Sequence, residues 1–137
     1  MASHGLILFA HGARDPRWAR PFEQVASRVR ALRPELAVTL AYLELMPPDL
    51  QQAGQALVAA GCRGVTVLPL FLGAGGHVRK DLPAQLELLR KAHPAVQWHL
   101  EPAAGESELL IEALVAIATE STDKSAQSST GDDQEPA

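Results

Sequence analysis

The feature that most constrains the fold is an alternation repeated four times: a short apolar run, then a stretch whose large apolar residues recur at steps of three and four. Residues 6–10 are continuously apolar, the pattern of a strand covered on both faces, as in parallel sheets. Trp18, Phe22, Val25, Val29 and Leu32 then form one helical stripe with Arg17, Arg20, Glu23, Arg28 and Arg30 mostly off it, and Pro34 ends it. Residues 36–43 alternate Leu36, Val38, Leu40 and Tyr42 with Ala37, Thr39 and Ala41, as a second strand does. A Pro47-Pro48 turn leads into an Ala-rich helix over residues 49–60, closed by Gly61. Residues 65–72 predict a third strand, in which Pro69 lacks a ladder donor and suits a bulge or an edge. Val78, Leu82, Leu86 and Leu89 mark a third helix up to His93-Pro94, residues 95–100 a short fourth strand, and Leu110, Leu114 and Ile117 a last helix. From Ser121 the composition turns to Ser, Thr, Asp, Gln and Gly, which cannot bury a core. The expected organisation is one domain, residues 1–120, and a polar, disordered tail, residues 121–137.

A β-α-β-α-β-α-β-α order calls for the α/β class: a single domain with a four-stranded parallel sheet, helices on both faces and right-handed crossovers. Strand order 2-1-3-4 is the simplest doubly wound arrangement, and it brings the ends of the first and third strands together at the switch point where such sheets bind ligands. The 47% hydrophobic and 4% aromatic content describes an aliphatic core of one-domain size. A formal net charge of −4 argues against nucleic acid or an anionic membrane as the main partner. No apolar run approaches the roughly 20 residues that span a bilayer. No signal peptide is recognisable, and the lone Cys62 reads as a small core residue, so the expected location is the cytoplasm.

Two histidines stand in glycine-containing turns just after apolar runs, in Ala10-His11-Gly12-Ala13-Arg14 and in Gly73-Ala74-Gly75-Gly76-His77-Val78-Arg79-Lys80. With Glu44 at the end of the second strand they would face one crevice. Two imidazoles and a carboxylate leave positions open on a divalent ion, which suits exchange or catalysis, whereas a structural zinc site takes four protein ligands, often several thiolates. Imidazole also titrates near neutral pH, and Glu44 beside Leu45 and Met46 could accept a proton. Gly73, Gly75 and Gly76 let a flat or bulky ligand approach the backbone and its N–H groups. Arg14, Arg79 and Lys80 make a basic rim in an acidic protein, suited to a metal-coordinating polyanion. His4, His93 and His99 have no comparable setting.

Three ordered blocks carry a resemblance: Leu8-Phe9-Ala10-His11-Gly12-Ala13-Arg14-Asp15-Pro16, Tyr42-Leu43-Glu44-Leu45-Met46-Pro47-Pro48, and Pro69-Leu70-Phe71-Leu72-Gly73-Ala74-Gly75-Gly76-His77-Val78-Arg79-Lys80-Asp81-Leu82-Pro83. Over residues 5–118 the chain resembles the short-form sirohydrochlorin chelatases of the CbiX and SirB type, within the class II chelatases. The resemblance implies insertion of Co2+ or Fe2+, with Ni2+ a third candidate, into sirohydrochlorin, with no nucleotide and no iron–sulfur cluster. It matches His11 and His77 to metal-binding histidines and Glu44 to an acidic residue at the mouth. It implies apolar walls at Leu45, Met46, Phe71 and Leu72, substrate carboxylates at Arg14, Arg79 and Lys80, and a homodimer with two clefts face to face. Siroheme and cobalamin synthesis both stay open. So do a non-catalytic metal or tetrapyrrole carrier and, less well matched because Ala10 stands where an arginine is usual, a histidine phosphatase-like enzyme.

Overall fold

A computed structural model describes residues 3–73 and 75–131. Its four strands, β1 (His4–Ala10), β2 (Ala37–Tyr42), β3 (Gly64–Pro69) and β4 (Gln97–Leu100), form one sheet in the order β2-β1-β3-β4 with every pair parallel. Four helices follow them in turn: α1 (Arg20–Leu32), α2 (Leu50–Ala59), α3 (Gly76–Ala92) and α4 (Glu108–Gly131). Class, strand order and alternation are those expected.

The period of two along β1 builds both layers. Ile7 and Phe9 point into the larger core with Leu50, Ala53 and Leu57 of α2 and Leu82, Leu86 and Leu89 of α3. Leu6 and Leu8 point the other way, against Ala26 and Val29 of α1. Full burial of a leucine such as Leu86 or Leu89 stabilises by about 1.5–3 kcal/mol, so the α2–α3 layer carries most of the fold. Helix ends are tied to the next strand by arginine. Arg30 donates to the Val38 carbonyl at 2.8 Å and Arg90 to that of Trp98 at 3.1 Å. Asp49 starts α2 with a capping box, its carboxylate accepting from the Gln52 N–H at 2.8 Å while Gln52 accepts from the Asp49 N–H at 2.9 Å.

Three expectations need correction. Pro69 lies in a central strand, not at a bulge or edge. The Leu70 N–H bonds the Phe9 carbonyl at 2.7 Å, so alternation turns the Pro69 nitrogen toward β4, which has already ended opposite Val67. No donor is needed there. The stripe on α1 is only half used: Trp18, Phe22 and Val29 are half-buried, while Val25 is 41% and Leu32 79% exposed, and the one buried residue of the helix is Ala26, outside the stripe. The last helix departs further. Among the described residues it packs mainly on the 3₁₀ turn Ala104–Glu106 just before it, with Leu110 half-buried in a hollow it shares with Phe22, Val25 and Leu70, and every residue from 111 to 125 is exposed, Leu114 and Ile117 included.

Helix α4 also runs through Gly131, past the point where composition suggested disorder. The hydroxyls of Thr119, Ser121 and Thr122 donate to carbonyls four residues back at 2.7–3.0 Å, so these side chains bond along the helix and do not cap a turn that would end it. Residues 132–137 of the expected tail lie outside the described residues. Cys62 is a core residue, and burial pushes its thiol pKa up. Its alkylation at pH 8 is expected to be at least about tenfold slower in the native protein than in urea, because both access and thiolate fraction fall; equal rates would place the thiol at the surface.

Candidate active site

The carboxyl ends of β1, β2 and β3 meet because hydrogen bonding continues beyond the strands. The Leu43 N–H donates to the Ala10 carbonyl at 2.9 Å and the Glu44 N–H to the His11 carbonyl at 3.1 Å. His11 and Glu44 are therefore fixed to each other through the backbone. The approach is so close that a Cβ on Gly12, whose φ is +91°, would run into the Glu44 carbonyl oxygen. Leu45 follows with φ +69°, a left-handed conformation unfavourable for leucine, and its side chain stands exposed. Met46 is half-buried and turns inward against the cluster of Ala10, Ala19 and Tyr42.

From the other side comes the segment after β3. The His11 ring lies over Phe71 with centroids 4.3 Å apart and planes at 32°. Phe71 is buried and meets Phe9 edge-on at 5.9 Å, so the imidazole rests on a surface the core holds in place. Phe71 is thus a floor under His11, while Leu72 and Leu45 are the apolar side chains that stand open. Sequence reasoning missed Gly105. Its N–H donates to the Phe71 carbonyl at 2.8 Å, and any Cβ there would collide with the Leu72 backbone, so the Ala104–Glu106 turn clamps this segment. A glycine in a turn carries no sequence signal of what presses on it.

Gly73, Gly75 and Gly76 differ from Gly12 and Gly105. An added Cβ at any of them meets nothing within 4 Å, and none has a positive φ. Gly75 is the N-cap of α3, and the backbone of His77 lies in the first turn of that helix; its side chain lies outside what the structure describes, as does Ala74. Arg14, Arg79 and Lys80 are exposed and have no ion-pair partner among the described residues, though Arg79 shares a small cavity with Glu101 and Glu106. Arg17 is otherwise engaged: it bonds Asp15 at 2.8 Å, which holds that carboxyl below the usual carboxylate range.

Glu44 and His11 are both solvent-exposed, so the apolar mouth expected around Glu44 does not close over it within one chain. Among the described residues no three His, Cys, Asp or Glu side chains gather closely enough to hold a metal. The other histidines are engaged elsewhere: His4 with Thr66 at 2.9 Å, His99 with Glu101 at 3.0 Å, and His93 beside Trp98.

Residues 5–121 match the sequence profile of the CbiX family. The chain belongs to the CbiX family. A CbiX protein of cobalamin biosynthesis from Marinobacter aquaeolei is 36% identical and superposes with a TM-score of 0.77 over 88% of this chain and 98% of that one. Bacillus subtilis SirB, a sirohydrochlorin chelatase solved with cobalt, shares the CbiX fold with a TM-score of 0.74 at 19% identity; the match covers 88% of this chain and 51% of SirB. The sirohydrochlorin cobaltochelatase of Methanopyrus kandleri is 30% identical over 83 residues, 61% of this chain and 58% of that protein. That of Sulfolobus acidocaldarius is likewise 30% identical over 83 residues, and this CbiX chain spans 66% of it. The matched region therefore covers roughly three fifths to two thirds of these two relatives. Among the described residues, no helix is long and apolar enough to cross a membrane.

Proposed function

We propose that this CbiX protein inserts a divalent metal ion into sirohydrochlorin without a nucleotide. The observation that carries the reading is the backbone bond tying Glu44 to His11 at the carboxyl edge of the sheet. It fixes a metal-ligating group and a proton acceptor side by side at the position where open α/β sheets take ligands. Family membership and the cobaltochelatase relatives support the same substrate.

In this scheme His11 and His77 present the ion, Co2+ first among the candidates, with Fe2+ and Ni2+ as alternatives. Imidazole binds all three, so ligand type does not choose among them. The macrocycle lies against Leu45 and Leu72, its carboxylates reaching Arg14, Arg79 and Lys80. Insertion forms metal–nitrogen bonds as the bonds to the imidazoles break, and two pyrrole protons leave. Glu44 accepts one, and solvent or a freed histidine the other. The strained Leu45 backbone holds an apolar side chain in the mouth, in line with strain kept where it positions substrate. The cleft of one chain is open, which supports a homodimer in which a second copy covers the macrocycle. We place the protein in the cytoplasm, where the unpaired Cys62 stays reduced.

Anaerobic incubation with sirohydrochlorin and each ion in turn, followed through the absorbance of the macrocycle, tests the reading. Acceleration over the spontaneous reaction without ATP is the expected result. Binding without acceleration would identify a carrier, and metal-independent phosphate release with phosphorylation of His11 would identify a phosphatase. Gly73→Ala and Gly76→Ala sharpen the test. Neither Cβ meets protein, and Ala at position 76 favours the helix, so thermal stability should hold or rise. Because those methyls would occupy the macrocycle's approach, KM should rise about fivefold, roughly 1 kcal/mol of lost binding. Unchanged KM would remove the glycine segment from the substrate site.

A further inference from the structure

The positions of the two proposed metal-ligating histidines are supported differently. His11 rests on the Phe71 ring and is tied through its backbone to Glu44. The first turn of α3, which carries position 77, has no such scaffold. Its N-cap Gly75 makes no side-chain bond, a Cβ added to Gly76 would meet nothing, and Arg79 and Lys80 set positive charge near the positive end of the helix dipole. Pro83 weakens the turn further, because it lacks the N–H that the Arg79 carbonyl would otherwise receive from four residues on. A metal ligand must be held to within about 0.5 Å, so a side chain has to supply what this backbone does not.

Residues at steps of four along α3 show which one can. Val78, Leu82, Leu86 and Leu89 are buried, which fixes the rotation of the helix on the core. Positions 77, 81 and 85 form a neighbouring row, and its two later members show where the row faces. Gln85 accepts from the Gln51 amide of α2 at 2.8 Å. Asp81 lines a hollow of about 150 Å³ with Leu43 and Asp49. Leu43 immediately precedes Glu44, and its N–H bonds the carbonyl of Ala10, one residue before His11. The row therefore runs beside α2 toward the edge that carries His11 and Glu44, and Asp81 is its last described side chain before position 77.

Asp81 also has the reach. Helical side chains lean toward the N-terminus and cover the turn before their own Cα, so residues four apart meet. Helix stability does not account for this carboxylate. The dipole effect fades beyond the first turn, Asp81 is the sixth residue of α3, and aspartate is a weaker helix former than alanine. Its neighbour Asp49, by contrast, has a structural duty as the cap of α2.

We propose that Asp81 is a positioning residue for His77, its carboxylate accepting from one ring N–H so that the other nitrogen is offered to the incoming ion. A carboxylate behind a ligating imidazole fixes its tautomer and orientation, and losing it costs about 10–100-fold in metal affinity. This rests on the reading of His77 as a ligand and adds what orients it.

The test is calorimetric titration of the full chain with Co2+ alone, without macrocycle, beside circular dichroism melts. Asp81→Ala should weaken Co2+ binding about 20-fold, whereas Asp81→Asn, which keeps an acceptor oxygen, should lose about threefold. Both should melt no lower than wild type. The Asp81→Ala, His77→Ala double variant should bind Co2+ as His77→Ala does, because a residue that acts through His77 has nothing left to position. A loss that persists undiminished in the His77→Ala background, equal losses for Asn and Ala, or no loss at all would overturn the positioning role while leaving His77 a ligand. A His77→Ala protein that binds Co2+ like wild type would overturn the ligand reading and the positioning role together, and the insertion assay judges the chelatase reading separately.

Discussion

His11→Ala is expected to slow metal insertion by about 100-fold, close to 3 kcal/mol of lost transition-state stabilisation, while the protein stays folded. The side chain is exposed and its described contact is the ring stacked on Phe71, so its removal opens no cavity, and the thermal midpoint should move by no more than about 2 °C. His77→Ala should cost a similar factor. The double variant should be little worse than either single one, because two ligands that hold one ion act as a unit. Glu44→Gln keeps shape and backbone bond but cannot take up a proton, so its loss should appear in kcat more than in KM. Insertion rates with Co2+, beside circular dichroism melts, read all four. A folded His11→Ala, His77→Ala protein working at the wild-type rate would remove the pair from the chemistry.

The largest structural effect is expected from Gly12→Ala. Two penalties coincide there: φ of +91° is a conformation alanine rarely adopts, and the new methyl would overlap the Glu44 carbonyl, a backbone atom that moves only with its whole segment. The expected cost is about 3 kcal/mol, or a fall of about 10 °C in Tm for a domain of this size. Relief of the overlap must pull Glu44 from His11, so surviving folded protein should also insert metal poorly. The contrast with Gly76→Ala, where stability holds and only KM responds, separates a glycine the chain needs from one the ligand needs. A Gly12→Ala protein with wild-type Tm would mean that the two loops are not clamped as described.

The parts of this molecule set by short-range pattern are legible in its amino-acid sequence. Apolar runs at residues 6–10 and 65–72, separated by helical stripes, specify a parallel sheet, and one crossover rule then fixes the order that brings β1 beside β3. The positions of His11 and Glu44 follow, because each ends a strand. What stays illegible depends on which surface meets which. Periodicity marks Val25, Leu32, Leu114 and Ile117 as an inward face but cannot say what covers them, and within one chain they stay exposed. Pro69 reads as an edge signal because its tolerance depends on where β4 stops. Gly105 and the strained Leu45 give no signal, since close approach and a left-handed φ arise from contacts between segments distant in sequence.

The most direct test of the central claim is a multiple-turnover measurement. Sirohydrochlorin and Co2+ are supplied anaerobically in large molar excess over the protein, without ATP, and the metallated macrocycle is counted by its absorbance. The expected result is many equivalents of product per chain, formed faster than in protein-free solution and lost in the His11→Ala variant. A single equivalent that then stalls, or a rate equal to the spontaneous one, would contradict it.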